Sequence, residues 1–343
     1  MLKKFCLILV STLSVSVFAN NIHILDAEKA IRAGAPLSDY SDLKAHPLYP
    51  YLQYRAYREN LITTNPSQIV LLLNQYPNAP FAGWLAEHAF PLWLSTGNTK
   101  AIIAAYHPDL ADESIECQYR LALLQTVKPK EAAKNIDTLW LSKNSIESAC
   151  DPLFRQLMAQ GVINQELLLK RFNIAMEANK SGVAKAISRY LDNRTASAAN
   201  TWLSVDNGSL PLAELLNVSY PAIRSAALGI EVRDKAAKQT EEAYTVAKQA
   251  LTTEAFLTHK DQGRAFNRLT RILADNDDSR AIDTWQAIPE GEHEANTIFD
   301  IIAYTQRLNQ WSQLANRLLT SLSNDDLERA EVQYWIAKSY EKT

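Results

Sequence analysis

Glycine is scarce in this chain, nine residues in 343, and so are the alternating apolar and polar runs that a half-buried strand needs. Both gaps argue against a sheet-based fold. Positive charge is not in excess either: 35 Lys and Arg face 38 Asp and Glu, a formal charge of −3, which argues against bulk nucleic-acid binding. The six histidines stand at positions 23, 46, 88, 107, 259 and 293, and no two have the spacing of a zinc motif. Even His293-Glu294 lacks a second histidine four residues on. Of the acidic stretches Asp275-Asn-Asp-Asp278 and Glu290-Gly-Glu-His-Glu294, the first lacks the glycine and terminal glutamate of a calcium loop, and both suit solvated connections that cap helices. A glycine-rich phosphate loop and a nucleophile elbow in its supporting context are missing too. Neither a metal nor a cofactor is expected.

Long apolar runs are confined to the start. Residues 1–19 combine Lys3 and Lys4, an apolar run from Phe5 to Val10 diluted by Ser and Thr up to Phe18, and the small-residue ending Val17-Phe18-Ala19. This pattern predicts a secretory signal cut after Ala19. The run falls short of the roughly 20 apolar residues of a spanning helix, so no stable membrane anchor is expected. Its removal shifts the formal charge to about −5 and takes away Cys6. Cys117 and Cys150 remain, and in an oxidising, exported compartment they are expected to form a disulfide, with two independently buried thiols as the alternative. Bridging them closes a loop of about 34 residues and adds roughly 3–4 kcal/mol of stability in the chain-entropy model.

Ala, Leu, Glu, Lys and Gln dominate the segments between turns, which favours helix. The mature chain exceeds the size of one compact core, yet no Pro/Gly/Ser-rich linker divides it, so residues 20–343 are read as one quasi-one-dimensional array of helix pairs. Leu167 to Met176 pairs with Val183 to Leu191 across Asn179-Lys-Ser-Gly182, where Asn179 and Gly182 suit left-handed or capping positions. Ala265 to Leu273 pairs with Ala281 to Ile288, and Thr297 to Leu308 with Trp311 to Leu322, across short polar connections. The repeats are degenerate relatives of tetratricopeptide pairs rather than matches to their consensus.

The stretch from Ala45 to Asn60, with Tyr49-Pro-Tyr-Leu-Gln-Tyr54 at its centre, resembles the opening of the N-terminal U-shaped domain of the soluble lytic murein transglycosylases. Glu116-Cys-Gln-Tyr119, Leu139-Trp-Leu-Ser-Lys143, Ser148-Ala-Cys-Asp-Pro-Leu-Phe154, the segment from Arg171 to Ala178, and Tyr334-Trp-Ile-Ala337 extend the likeness in order. The resemblance implies an all-α superhelical array, a ring or horseshoe, in the periplasm. In that family a lysozyme-like catalytic domain follows and cleaves peptidoglycan between N-acetylmuramic acid and N-acetylglucosamine, using a glutamate in a Glu-Ser dipeptide. Glu113-Ser114 and Glu147-Ser148 occur here without the family's downstream Gly-Leu-Met-Gln and Tyr-Asn-Ala-Gly motifs. Neither is assigned a catalytic role, and the chain alone is expected to be inactive.

Ala330 to Tyr340 reads as the first helix of a pair whose partner does not arrive before Thr343, so the array is expected to be truncated, exposing Tyr334, Trp335 and Tyr340. Tyr51, Tyr54, Arg55 and Arg58, with Tyr49 and Tyr57 beside them, are candidates for stacking on sugar rings and pairing with carboxylates; inward helix packing is the plainer reading. Core packing is likewise the plainer reading for Trp84, His88 and Trp93. The implied partners are peptidoglycan glycan strands and a catalytic domain or another cell-wall protein. The alternatives are a share in a complete transglycosylase whose catalytic part is supplied elsewhere, and a helical protein-interaction module.

Overall fold

A computed structural model describes residues 23–110, 112–126, 128–253 and 256–343. The expected signal, residues 1–19, lies outside the described residues. Among the latter every regular element is helical, as the scarcity of glycine and alternating runs predicts. The chain divides into two compact units: residues up to 140 together with 145–164, and residues 141–144 together with 165–343.

The first unit holds α1 (residues 23–32), α2 (Tyr49–Glu59), α3 (Pro66–Gln75), α4 (Ala82–Ser95), α5 (Thr99–Ala105), α6 (Glu113–Leu124), α7 (Pro129–Ala133), α8 (Ile136–Trp140) and α9 (Asp151–Ala159). The second holds α10 (Gln165–Glu177), α11 (Ser181–Ser188), α12 (Asn193–Asp206), α13 (Pro221–Lys235), α14 (Thr240–Leu251), α15 (His259–Asp275), α16 (Arg280–Gln286), α17 (Ala295–Arg307), α18 (Trp311–Ser321), α19 (Asn324–Leu327) and α20 (Ala330–Lys342).

Local chemistry sets the boundaries. Pro50, Pro66, Pro129, Pro152 and Pro221 occupy the first turns of their helices, where the missing N–H costs nothing. Asn65, Asp112, Thr258 and Ser323 accept backbone N–H bonds as N-caps, satisfying donors that a helix start leaves over. One ending recurs. The residue after the helix turns left-handed and the next N–H reaches back five residues, as from Asn98 to the Trp93 carbonyl at 2.7 Å and from Gln310 to Thr305 at 2.9 Å. Gly97 fills the left-handed position in the first case, whereas Asn179, Asp277 and Asn309 fill it in the three hairpins the sequence pattern identifies. These are Schellman turns, which use up orphan carbonyls while reversing the chain. Asn179 behaves as expected, but Gly182 lies inside α11 rather than in the break.

In the first unit Ile69, Leu72, Leu73, Leu85, Phe90, Trp93 and Ile102 form the main core, and Ile24, Ile31, Leu43, Tyr49 and Leu52 form a smaller one that seats α1 on α2. Each fully buried leucine or phenylalanine contributes about 1.5–3 kcal/mol by leaving water. Cys117 on α6 is bonded to Cys150 just before α9, with 4.9 Å between their Cα atoms.

The second unit packs α13 against α15 closely, and Gly229 marks the crossing: a Cβ there would stand 2.8 Å from both the Asp261 Cβ and its carbonyl oxygen. Helix α20 is not left alone. It lies against α18, where the Ser339 hydroxyl donates to the Trp311 carbonyl at 2.6 Å and accepts from the Ala315 N–H at 3.3 Å. Trp335 sits near Trp311, with ring centroids 6.4 Å apart, so the expected exposure holds for Tyr334 and Tyr340 but not for Trp335, which is half-buried. The helix finds its partner backwards along the chain, a pairing that short-range periodicity does not reveal.

Candidate functional site

Helix α2 places its residues by the 3.6-residue period. Pro50, Leu52 and Tyr57 turn inward, whereas residues 51, 54, 55 and 58 share the opposite side. Tyr54 stacks on Phe81 at 5.2 Å and Tyr51 meets the same ring edge-on at 5.1 Å. Arg58 donates to the Tyr54 hydroxyl at 3.2 Å and lays its guanidinium over Trp84 at 4.8 Å. The Trp84 ring also stacks on His88 at 3.9 Å, whose Nδ1 lies 2.8 Å from the Trp84 carbonyl. The tryptophan ring thus contacts both a cation from α2 and an imidazole from its own helix, α4. Trp93, one residue of the same sequence cluster, is buried in the core.

Arg55, on the same side of α2, reaches across to α1. It donates to Glu28 Oε1 on α1 at 3.0 Å, and Arg32 donates to the same oxygen at 2.9 Å. Partial burial of Glu28 works against its ionisation, but the two guanidinium bonds prevail and hold the carboxyl below its ordinary range. This ion pair tethers α1 to α2.

Beside it opens a pocket of about 240 Å³. Tyr51, Tyr54 and Arg55 line it from α2, Ile24, Leu25 and Glu28 from α1, and Leu48 and Leu52 complete it. Of the four candidate contacts in the sequence, three therefore converge on one pocket and Arg58 lies on the Trp84 stack. The α1 contribution was missed, although Ile24, Ala27 and Ile31, all buried, carry a helical period that marks α1 as an inward-facing neighbour. Glu113 is engaged elsewhere: its carboxylate accepts the Glu147 N–H at 2.9 Å, bracing the loop that leads to Cys150. Among the described residues no group of three or more His, Cys, Asp or Glu side chains could hold a metal ion, and no helix is long and apolar enough to cross a membrane.

The fold is that of an all-helical array of paired helices, and solved structures share it. The 70 kDa soluble lytic transglycosylase of Escherichia coli matches with a TM-score of 0.65 at 20% identity, over 94% of this chain and 52% of that one. A complex of the 70 kDa soluble lytic transglycosylase with bulgecin A matches with 0.64 at 19% identity, and an inactive variant of the lytic transglycosylase of Pseudomonas aeruginosa with 0.58 at 21%. The chain spans about half the length of these proteins. No family model matches it. In sequence, 165 residues, 48% of the chain, are 26% identical to the soluble lytic murein transglycosylase of Escherichia coli K12 and 24% identical to that of Salmonella typhimurium, covering 26% of each relative. Over about half of its length, then, the chain is homologous to the soluble lytic murein transglycosylases.

Proposed function

We propose that this chain is a periplasmic, peptidoglycan-associated helical scaffold of the lytic transglycosylase type, one that holds glycan strands and docks a catalytic part without cleaving them itself. The observation that carries this reading is the agreement of sequence likeness and fold: the curated relatives are murein transglycosylases by name, and the fold match extends over 94% of the chain. The residues add a second support. Neither Glu-Ser dipeptide has the family's catalytic motifs downstream, and Glu113 spends its carboxylate on a backbone N–H.

Purified chain is incubated with murein sacculi, with binding read by co-sedimentation and 1,6-anhydro products sought by mass spectrometry. Binding without anhydro products is the expected result. Release of such products by the pure chain would overturn the noncatalytic reading, and failure to sediment would favour a protein-interaction module.

A further inference from the structure

The scaffold reading leaves the pocket between α1 and α2 without an occupant. We propose that this pocket binds a single N-acetylated amino-sugar ring of a glycan strand. The proposal rests on the peptidoglycan reading for the source of its ligand, and on the pocket's own chemistry for the ligand's class.

Size comes first. At about 240 Å³ the pocket lies below the roughly 300–1,000 Å³ of sites that enclose a drug-sized ligand. It suits one ring. Tyr51 is 44% exposed, and its ring meets Phe81 edge-on, so much of this amphipathic side chain remains open to the C–H face of a sugar. Tyr54 is already stacked on Phe81 and serves as wall rather than platform.

The polar edge is unfinished. Glu28 receives its guanidinium bonds on Oε1, from Arg32 Nε and Nη2 and from Arg55 Nη2, which leaves Oε2 able to accept. Arg55 Nε is buried with no acceptor, a condition that folded proteins generally avoid. That donor is closed off from the pocket, so the polar group offered to a ligand is the Glu28 carboxylate, to which a sugar hydroxyl can donate.

The remaining walls are aliphatic: Ile24, Leu25, Leu48 and Leu52. A plain hexose would turn hydroxyls onto them and lose hydrogen bonds to water. An acetamido substituent presents a methyl group instead. An apolar peptide side chain would fill the same walls but leave the Glu28 carboxylate without a donor from the ligand.

Isothermal titration of the purified chain with the β-1,4 tetramer of N-acetylglucosamine, and with the glucose tetramer of the same linkage, tests the assignment. Sacculus co-sedimentation runs in parallel, and circular dichroism checks that each variant is folded. The acetylated tetramer is expected to bind at least about tenfold more tightly than the glucose tetramer. Tyr51→Ala should weaken binding about tenfold, and Glu28→Gln, which keeps the shape and one carbonyl acceptor, about threefold. Equal affinity for the two tetramers, unchanged affinity in both variants, or binding of stem peptide alone would overturn the proposal. Sacculus binding without tetramer binding sinks the pocket and spares the scaffold. Tyr51-dependent tetramer binding without sacculus binding does the reverse.

Discussion

The two units are held by different chemistry. In the first, the buried polar side chains among the described residues are Thr99 and Gln118; the interior is otherwise aliphatic and aromatic and is cross-linked by Cys117–Cys150. In the second, Glu231, Asp261, Asn267, His293, Thr270, Thr284, Thr297, Thr305 and Ser225 are all buried. Trp202 Nε1 donates to Glu231 at 2.8 Å, with Lys235 3.4 Å from the same carboxylate. Asp261 accepts from Ser225 at 2.6 Å, Thr258 at 2.7 Å and Arg264 at 3.1 Å. Asn267 bonds the Gly263 and Glu292 carbonyls and the Glu294 N–H. Apolar packing tolerates changes of pH and, within limits, apolar swaps that conserve volume. Buried polar networks depend on every partner and on its protonation. One unit should therefore fail to reductants and the other to acid.

The most severe way to break the contrast is Asp261→Ala, which strips the acceptor from Ser225, Thr258 and Arg264 together. A loss of about 3–5 kcal/mol is expected in the second unit, read as raised hydrogen exchange across α13 and α15 with α3 to α6 unchanged. Reduction of Cys117–Cys150 comes next: a loss of about 3–4 kcal/mol, visible as faster exchange in α6 and α9. Loss of protection in α13 and α15 instead would collapse the distinction.

Acid sharpens it further. His293 is 7% exposed and packs on Trp285 with ring centroids 4.3 Å apart, and burial pushes its imidazole down to about 4. The unfolded chain takes up that proton near 6.5, so the folded state is fully favoured above pH 6.5 and loses stability as pH falls from there to about 4, by up to about 3 kcal/mol. Glu231 runs the other way: burial raises its pKa despite the Trp202 bond, and its penalty at neutral pH is relieved by acid. Comparing the wild-type chain with His293→Gln isolates the histidine, and urea midpoints between pH 7 and 4 should fall less steeply in the variant. The mildest test treats the units alike: Asn65→Ala and Ser323→Ala each remove an N-cap and should cost about 1 kcal/mol in thermal unfolding. Unequal losses there would show that cap strength, too, differs between them.

The sequence made some of this plain. Asp275 to Ser279 and Asn309 with Gln310 announced their turns because a polar, left-handed-tolerant residue interrupts two apolar periods, and the cysteine pair was legible from composition once export was inferred. The second unit's interior was not. Glu231 and Asp261 look like ordinary surface residues within their helices, and their partners lie 29 and 36 residues away; only the packing of separate helices makes them interior. The candidate site was half legible. Tyr51, Tyr54 and Arg55 stood out as an aromatic and basic cluster, but Arg55 reads as a free cation until Glu28, 27 residues upstream, is seen to claim it. Likewise, Arg58 and Trp84 belong to different helices, and their stacking was not predictable from either.

The cystine also governs how the molecule survives damage. A backbone cut anywhere from residue 118 to 149 falls within the loop it closes, so the severed fragments stay covalently tied. Such a nicked chain would run as one band on a non-reducing gel and as two after reduction. In the first unit, the continuity of the molecule therefore does not depend on every peptide bond remaining whole.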